Sequence, residues 1–129
     1  MRIASILENQ NIEKRIAVTP EIAKKYLALG FKLSLSKNYG THLGIKDDVY
    51  LQLGVNFFKD EKEVLDGAEV IVQLGLPSDN QINLLKENQT LIGVLNPYKN
   101  KEKINDLIKK KINVFSLELL PRITRAQSM

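Results

Sequence analysis

Short apolar runs alternate with amphipathic stretches along this chain of 129 residues. The apolar runs have the length and the alternating or continuous hydrophobic pattern of β-strands. The run Val70-Ile71-Val72 is unbroken, which is typical of a central parallel strand covered on both faces. Strands are predicted at residues 1–6, 31–36, 55–58, 68–74, 90–95 and 112–116.

The stretches between these strands have the apolar spacing and the end signals of helices. Thr19-Pro20-Glu21 combines an N-cap residue, a proline in the first turn and an acidic residue, and Gly30 follows as a C-terminal stop. Two acidic pairs, Asp47/Asp48 and Glu61/Glu63, fall at helix starts, where they complement the helix dipole and need no role in acid–base catalysis. Helices are predicted at residues 20–29, 46–54, 60–66, 80–87 and 101–111.

The order of these elements predicts the fold class. Strand and helix alternate throughout, and the connections are too long for hairpins. This order is typical of an α/β fold with an open, mostly parallel sheet, right-handed crossovers and helices on both faces, as in flavodoxin-like and Rossmann-like folds. The length suits one domain, residues 1–129, with a substantial core.

Composition removes several classes of chemistry. The chain has no cysteine, which excludes disulfides and thiolate sites, and its one histidine, His42, lies in a glycine-flanked loop with no metal ligands predicted around it. The net charge is +4, but the lysines are scattered and residues 109–111 fall at a helix end, so nucleic-acid binding is not predicted. No run reaches the roughly 18 apolar residues of a membrane helix and no signal peptide is evident, which predicts a cytoplasmic chain without membrane insertion.

The candidate chemistry lies in the last twelve residues, 118–129, which follow the final predicted strand. This segment holds the guanidinium groups of Arg122 and Arg125 and the amide of Gln127. Open α/β sheets bind ligands beyond the carboxyl ends of their strands, where Arg can bind phosphate and a Gln amide can pair with a carboxamide. The same residues also fit a polar, frayed C-terminus.

Two motifs resemble a known family. Pro121-Arg-Ile-Thr-Arg-Ala-Gln-Ser-Met129, preceded by Glu118-Leu-Leu, resembles a loop of the NAD(H)-binding alpha subunit of proton-translocating NAD(P) transhydrogenases. Glu13-Lys-Arg-Ile-Ala-Val-Thr-Pro20 is similar to an opening segment shared by these subunits and alanine dehydrogenases. The resemblance implies a single N-terminal domain that is incomplete relative to the family and truncated before the NAD-binding domain.

The resemblance also implies a function. In the family, a hydride passes from NADH in this subunit to NADP⁺ on a partner domain, and a membrane-spanning component couples the transfer to proton translocation. Arg122 and Gln127 match the residues of the loop that reaches over the nicotinamide, whereas Arg125 matches without an assigned role and the Asp that follows the motif is not in the sequence. The full-length form is expected to be a homodimer, cytoplasmic and peripheral to the inner membrane when assembled.

Arg15 matches an Arg that binds the substrate carboxylate in alanine dehydrogenases. The companion Lys of that pocket falls on Gln73 and the companion His falls near Val94, which argues against alanine dehydrogenase activity. An exposed ion pair with Glu13 or Glu21 is an equally good explanation for Arg15.

The sequence lacks both the Rossmann glycine fingerprint and a Walker loop. We therefore expect NAD to be bound mainly by the missing second domain, and the isolated chain to be inactive. The alternative hypothesis is a stand-alone α/β binding or assembly module without redox activity.

Overall fold

A computed structural model describes residues 1–8, 15–93 and 100–116. Its strands and helices alternate as predicted, and none of the helices in these ranges is long and apolar enough to cross a bilayer. The elements are β1 (Arg2–Ser5), α1 (Pro20–Ala28), β2 (Lys32–Ser36), a 3₁₀ turn (Thr41–Leu43), α2 (Asp47–Leu53), β3 (Asn56–Phe58), α3 (Glu61–Leu65), β4 (Val70–Val72), α4 (Asp79–Asn83), β5 (Thr90–Gly93), α5 (Lys101–Lys109) and β6 (Asn113–Ser116).

The strands form one sheet in the order β3-β2-β1-β4-β5-β6, and every pairing is parallel. This confirms the predicted open parallel sheet. In the central pairings, Ile3 of β1 lies opposite Leu33 of β2 on one side and Val70 of β4 on the other. The direction of winding reverses between β1 and β4, which makes the carboxyl ends of these two strands the switch point where open α/β sheets bind ligands.

Two apolar clusters cover the two faces of the sheet. Successive residues of a strand point to opposite faces, so Ile3 packs in one cluster and Ala4 in the other. The first cluster joins β1 and β2 to α1 and α2, through buried side chains such as Leu33, Ala23 and Tyr50. The second joins β1, β4 and β5 to α3, α4 and α5, and its members include Ala4, Ile71, Leu91, Val64, Ile82 and Leu107. Helices on both faces are thus confirmed.

The end signals of α1 act as the sequence predicts. The Thr19 hydroxyl oxygen accepts a hydrogen bond from Ile22 N at 3.3 Å. Pro20 occupies the first helical position, where a backbone N–H would have no acceptor within the helix, so a proline costs no hydrogen bond there. Gly30 has φ of +92°, a backbone conformation that glycine adopts without a Cβ clash. The chain can therefore turn directly from α1 into β2.

Helix α4 is shorter than predicted: it ends at Asn83, whereas the predicted range is 80–87. The ammonium group of Lys110 donates to the carbonyl oxygens of Ile82 and Asn83, at 3.1 and 3.3 Å. After this point Lys86 N donates to the Gln89 side chain at 2.7 Å instead of to a helical carbonyl. The Lys110 bonds come from a distant part of the chain, so the local apolar spacing could not reveal them.

Candidate functional site

A cavity of about 420 Å³ opens at the carboxyl ends of β1 and β4. The loops that follow these two strands line it, together with the starts of α3, α4 and α5. Its polar lining residues are Glu8, Glu61, Gln73, Ser78, Gln81 and Lys103. The cavity therefore lies at the switch point of the sheet, where the strand order predicts ligand binding.

The Gln73 side chain continues the pairing of β1 with β4, because its amide bonds to the backbone of Ile6 just beyond the end of β1. It is only 3% exposed, its Oε1 atom accepts from Ile6 N at 2.7 Å, and its Nε2 atom donates to Ile6 O at 3.0 Å. A side-chain amide here pairs with a backbone residue as a neighbouring strand would. The second Nε2 hydrogen is donated to Glu8 Oε2 at 2.9 Å, so both amide hydrogens have acceptors.

The Glu8 carboxylate accepts hydrogen bonds from the loop that follows β4. Its Oε2 atom accepts from Leu74 N at 2.8 Å, and its Oε1 atom accepts from Gly75 N at 3.1 Å. Hydrogen bonds to a carboxylate are stronger than neutral ones, and successive backbone N–H groups form concavities that bind anions. The Glu8 carboxylate thus satisfies the N–H groups of two successive residues at this edge of the sheet.

A second group of hydrogen bonds centres on the hydroxyl of Tyr39, which is fully buried. This oxygen lies 3.1 Å from both Ala17 N and Val18 N and 2.8 Å from Ser5 Oγ. Two accepted N–H groups use both lone pairs, so the Tyr39 proton goes to Ser5, which in turn donates to Val72 O at 2.6 Å. Burial raises the pKa of Tyr39 to about 12, so the hydroxyl stays protonated at neutral pH.

Arg15 precedes Ala17 by two residues in the chain and does not line the cavity. Arg15 is exposed, while Ala17 and Val18, just after it, are held by Tyr39. Ser5 Oγ also lies 3.1 Å from Gln73 Oε1, which links this group to the cavity wall. A role for Arg15 in substrate binding stays a prediction.

Several predicted positions lie outside the described residues: Glu13, Val94, Arg122, Arg125 and Gln127. The nicotinamide contacts of Arg122 and Gln127 therefore also stay predictions. His42 lies in the 3₁₀ turn between β2 and α2, in agreement with its predicted loop position. Asp47 and Glu61 are the first residues of α2 and α3, as their proposed dipole role requires.

Sequence reasoning missed Ser5, Glu8 and Tyr39. One signal was present for Glu8, because an acidic residue three positions after a central strand stands at the ligand-binding edge of such a sheet. Its three donors are 65 to 67 residues away in the chain, so spacing could not identify them.

Comparison with known proteins shows which proteins this chain is similar to. The family described as "Alanine dehydrogenase/PNT, N-terminal domain" matches residues 6–129. Proteins named as the first portion of NAD(P) transhydrogenase subunit alpha are 31% identical in Rickettsia prowazekii and 32% identical in Rhodospirillum rubrum, over 100% of this chain and 35% of each relative. An alanine dehydrogenase of Methanococcus maripaludis is 29% identical over 92% of this chain and 32% of its own length.

Solved structures agree with these matches. A transhydrogenase of Sinorhizobium meliloti superposes with a TM-score of 0.87 at 31% identity, over 98% of this chain and 38% of that one. An L-alanine dehydrogenase shares the fold, with a TM-score of 0.84 at 21% identity, over 90% of this chain and 32% of that one. The chain spans about a third of the length of these relatives. The resemblance to transhydrogenase alpha subunits is thereby confirmed, and the chain belongs to the alanine dehydrogenase/transhydrogenase N-terminal domain family.

Proposed function

We propose that this chain acts as the N-terminal domain of an NAD(P) transhydrogenase alpha subunit and helps to orient NADH for hydride transfer to NADP⁺. The observation that carries the proposal is the identity of 31–32% over the whole chain to two proteins that bear that subunit name. The alanine dehydrogenase matches cover less of the chain, 92% in Methanococcus maripaludis and 79% in Staphylococcus aureus.

The saturated hydrogen bonding of Gln73 supports a transhydrogenase over an alanine dehydrogenase. Gln73 stands where the alanine dehydrogenase resemblance expects a cationic Lys, and its two amide hydrogens are donated to Ile6 O and Glu8. A substrate carboxylate near Arg15 would find no second cation at this position, and the Glu8 carboxylate would repel it.

The cofactor is proposed to bind mainly to a second domain. Dinucleotide phosphates require open backbone N–H groups at a glycine-rich turn, and residues 6–19, between β1 and α1, contain no glycine. At the neighbouring loop, Leu74 N and Gly75 N already donate to Glu8. The isolated chain is therefore proposed to be inactive, with NAD on the second domain and NADP on a partner.

The contribution of this domain is proposed to be a loop over the nicotinamide. Residues 121–129 follow β6, and Gln127 could both donate to and accept from the carboxamide, while Arg122 would fix the loop on the nucleotide. Direct hydride transfer needs positioning and no protein acid, base or metal. A membrane-spanning component would couple the transfer to proton translocation, and the full-length subunit would be a homodimer at the inner membrane.

A chimaera tests this proposal. Residues 1–129 would replace the matching segment of the Rhodospirillum rubrum relative, and hydride transfer from NADH would be measured with the other transhydrogenase components present. We expect an active chimaera in which Arg122→Ala and Gln127→Ala lower kcat by about a hundredfold, the scale at which small misplacement of reactants acts. Arg125→Ala is the matched control, since it removes a guanidinium from the same segment, and it should retain activity.

Two results would contradict the proposal. One is an active chimaera that is insensitive to both substitutions. The other is saturable NADH binding by the 129-residue chain alone, measured by calorimetry and lost in the Gln127→Ala variant. The second result would favour a stand-alone binding module.

A further inference from the structure

We propose that the loop after β4 forms a carboxylate-binding nest that Glu8 fills from within the chain. The nest consists of Leu74 N, Gly75 N and the Nε2 atom of Gln73, and all three donate to the Glu8 carboxylate, at 2.8, 3.1 and 2.9 Å. By filling the nest, Glu8 determines which ligands the crevice accepts, because it excludes external anions from the switch point.

The sheet holds the Gln73 end of the nest in place through contacts that do not involve Glu8. Gln73 N donates to Ile92 O of β5 at 2.9 Å, which fixes the backbone just before the nest. The Gln73 side chain is fixed on the other side by its two bonds to Ile6. Donors that are already oriented lose little entropy on binding, so the nest is ready to take another carboxylate when Glu8 is removed.

The surroundings favour a small monocarboxylate as the external ligand. The two backbone N–H groups donate to different oxygens of one carboxylate, and Glu8 borders a cavity of about 420 Å³ that leaves room for such a ligand. Lys103 supplies a positive charge to the cavity lining and Glu61 a negative one. The negative charge of Glu61 disfavours ligands that carry more than one charge, such as phosphate or sulfate.

The ready nest also explains why a carboxylate is needed there. Removing Glu8 takes the acceptor from the buried Gln73 amide and from two N–H groups of the half-buried residues Leu74 and Gly75. A buried donor without an acceptor is costly. An external carboxylate that satisfies these donors would stabilise the folded state by mass action. Anion binding at this nest does not depend on whether the chain takes part in hydride transfer, so a failed chimaera and a failed nest are separate results.

The experiment uses the 129-residue chain with Glu8→Ala and adds acetate or formate against sodium chloride at equal ionic strength. We expect acetate to raise the folded-to-unfolded ratio about elevenfold at a concentration ten times its Kd. The amide resonances of Leu74 and Gly75 should shift with the same Kd. The wild-type chain should show neither effect, because Glu8 already fills the nest.

Glu61→Ala is the matched control. It removes a carboxylate from the same cavity, but Glu61 accepts from the Gln81 side chain at 2.8 Å and is not held by the nest. Acetate should therefore not stabilise this variant. Equal stabilisation of both variants would mean that acetate acts on the cavity or on the protein generally, and would overturn the assignment.

Further outcomes also decide the proposal. If the Glu8→Ala chain folds and its Leu74 and Gly75 resonances do not shift on addition of acetate or formate, the proposal is overturned. If the variant binds phosphate or sulfate but neither carboxylate, the choice of ligand is overturned. If Glu8→Ala does not fold without acetate, folding on its addition supports the nest. If it never folds, Glu8→Gln decides: loss of the charged acceptor should move both amide protons upfield, and unchanged resonances overturn the proposal.

Discussion

At the scale of single residues, Tyr39 joins three separate parts of the chain through one oxygen. Its hydroxyl accepts from Ala17 and Val18, which lead into α1, and donates to Ser5 at the end of β1. Ionisation would remove the donated proton and place a charge in a buried site. Burial and the nearby Glu8 carboxylate both favour the protonated form, and the pKa of Tyr39 is raised to about 12.

This raised pKa predicts how Tyr39 affects stability in alkali. Between pH 10.0 and about 12 the unfolded chain releases the Tyr39 proton and the folded chain keeps it, so the free energy of unfolding falls as the pH rises. The loss from this residue should be roughly 1.4 kcal/mol per pH unit in that window. The ¹³Cζ resonance of Tyr39 can be assigned by its absence in the Tyr39→Phe variant. In the folded chain it should titrate with a midpoint near pH 12. A midpoint near 10.0 would contradict the buried geometry.

At the scale of elements, local signals predicted the strands and most helices correctly. The Thr19-Pro20 start and the Gly30 stop of α1 act within one turn of the chain, so the sequence alone was sufficient. The prediction made helix α4 too long. Lys110, at the C-terminal end of α5, donates to the last carbonyl groups of α4, and local spacing does not show this contact. The site around Glu8 was missed for the same reason, since its donors lie after β4 and meet it only when the sheet forms.

The start of α4 supplies a prediction at this scale. The Ser78 hydroxyl oxygen accepts from Gln81 N at 3.4 Å, and the Gln81 side chain accepts from Ser78 N at 2.9 Å, which together form a capping box. Gln81 also donates to Glu61 at 2.8 Å and so ties α4 to α3. Ser78→Ala should lower the free energy of unfolding by about 1 kcal/mol, measured by urea denaturation.

Ser78→Thr is the control for this substitution. Threonine keeps the capping oxygen, so its cost should be well below that of alanine. Equal losses for the two variants would mean that the hydroxyl contributes no capping energy at this position.

At the scale of the whole molecule, the two apolar clusters do not cover the sheet evenly. Phe115 of β6 is 55% exposed, and its neighbour in register is Ile92 of β5. Neither residue belongs to the apolar clusters of the described residues. β6 is also an edge strand, paired only with β5 among the described strands. An exposed aromatic side chain on an edge strand favours self-association.

We therefore expect the purified chain to form reversible dimers or larger assemblies, with Phe115 in the contact. Phe115→Thr replaces the aromatic ring with a β-branched residue that also suits a strand. It should raise the dimer dissociation constant about tenfold or more in sedimentation equilibrium, since burying one Phe is worth a few kcal/mol at most. Leu29→Thr is the matched control, because Leu29 is 69% exposed but lies at the end of α1. If both variants weaken association equally, general hydrophobicity drives it. If the wild-type chain is a stable monomer at all concentrations, the surface formed by Phe115 and Ile92 does not act as an interface between copies.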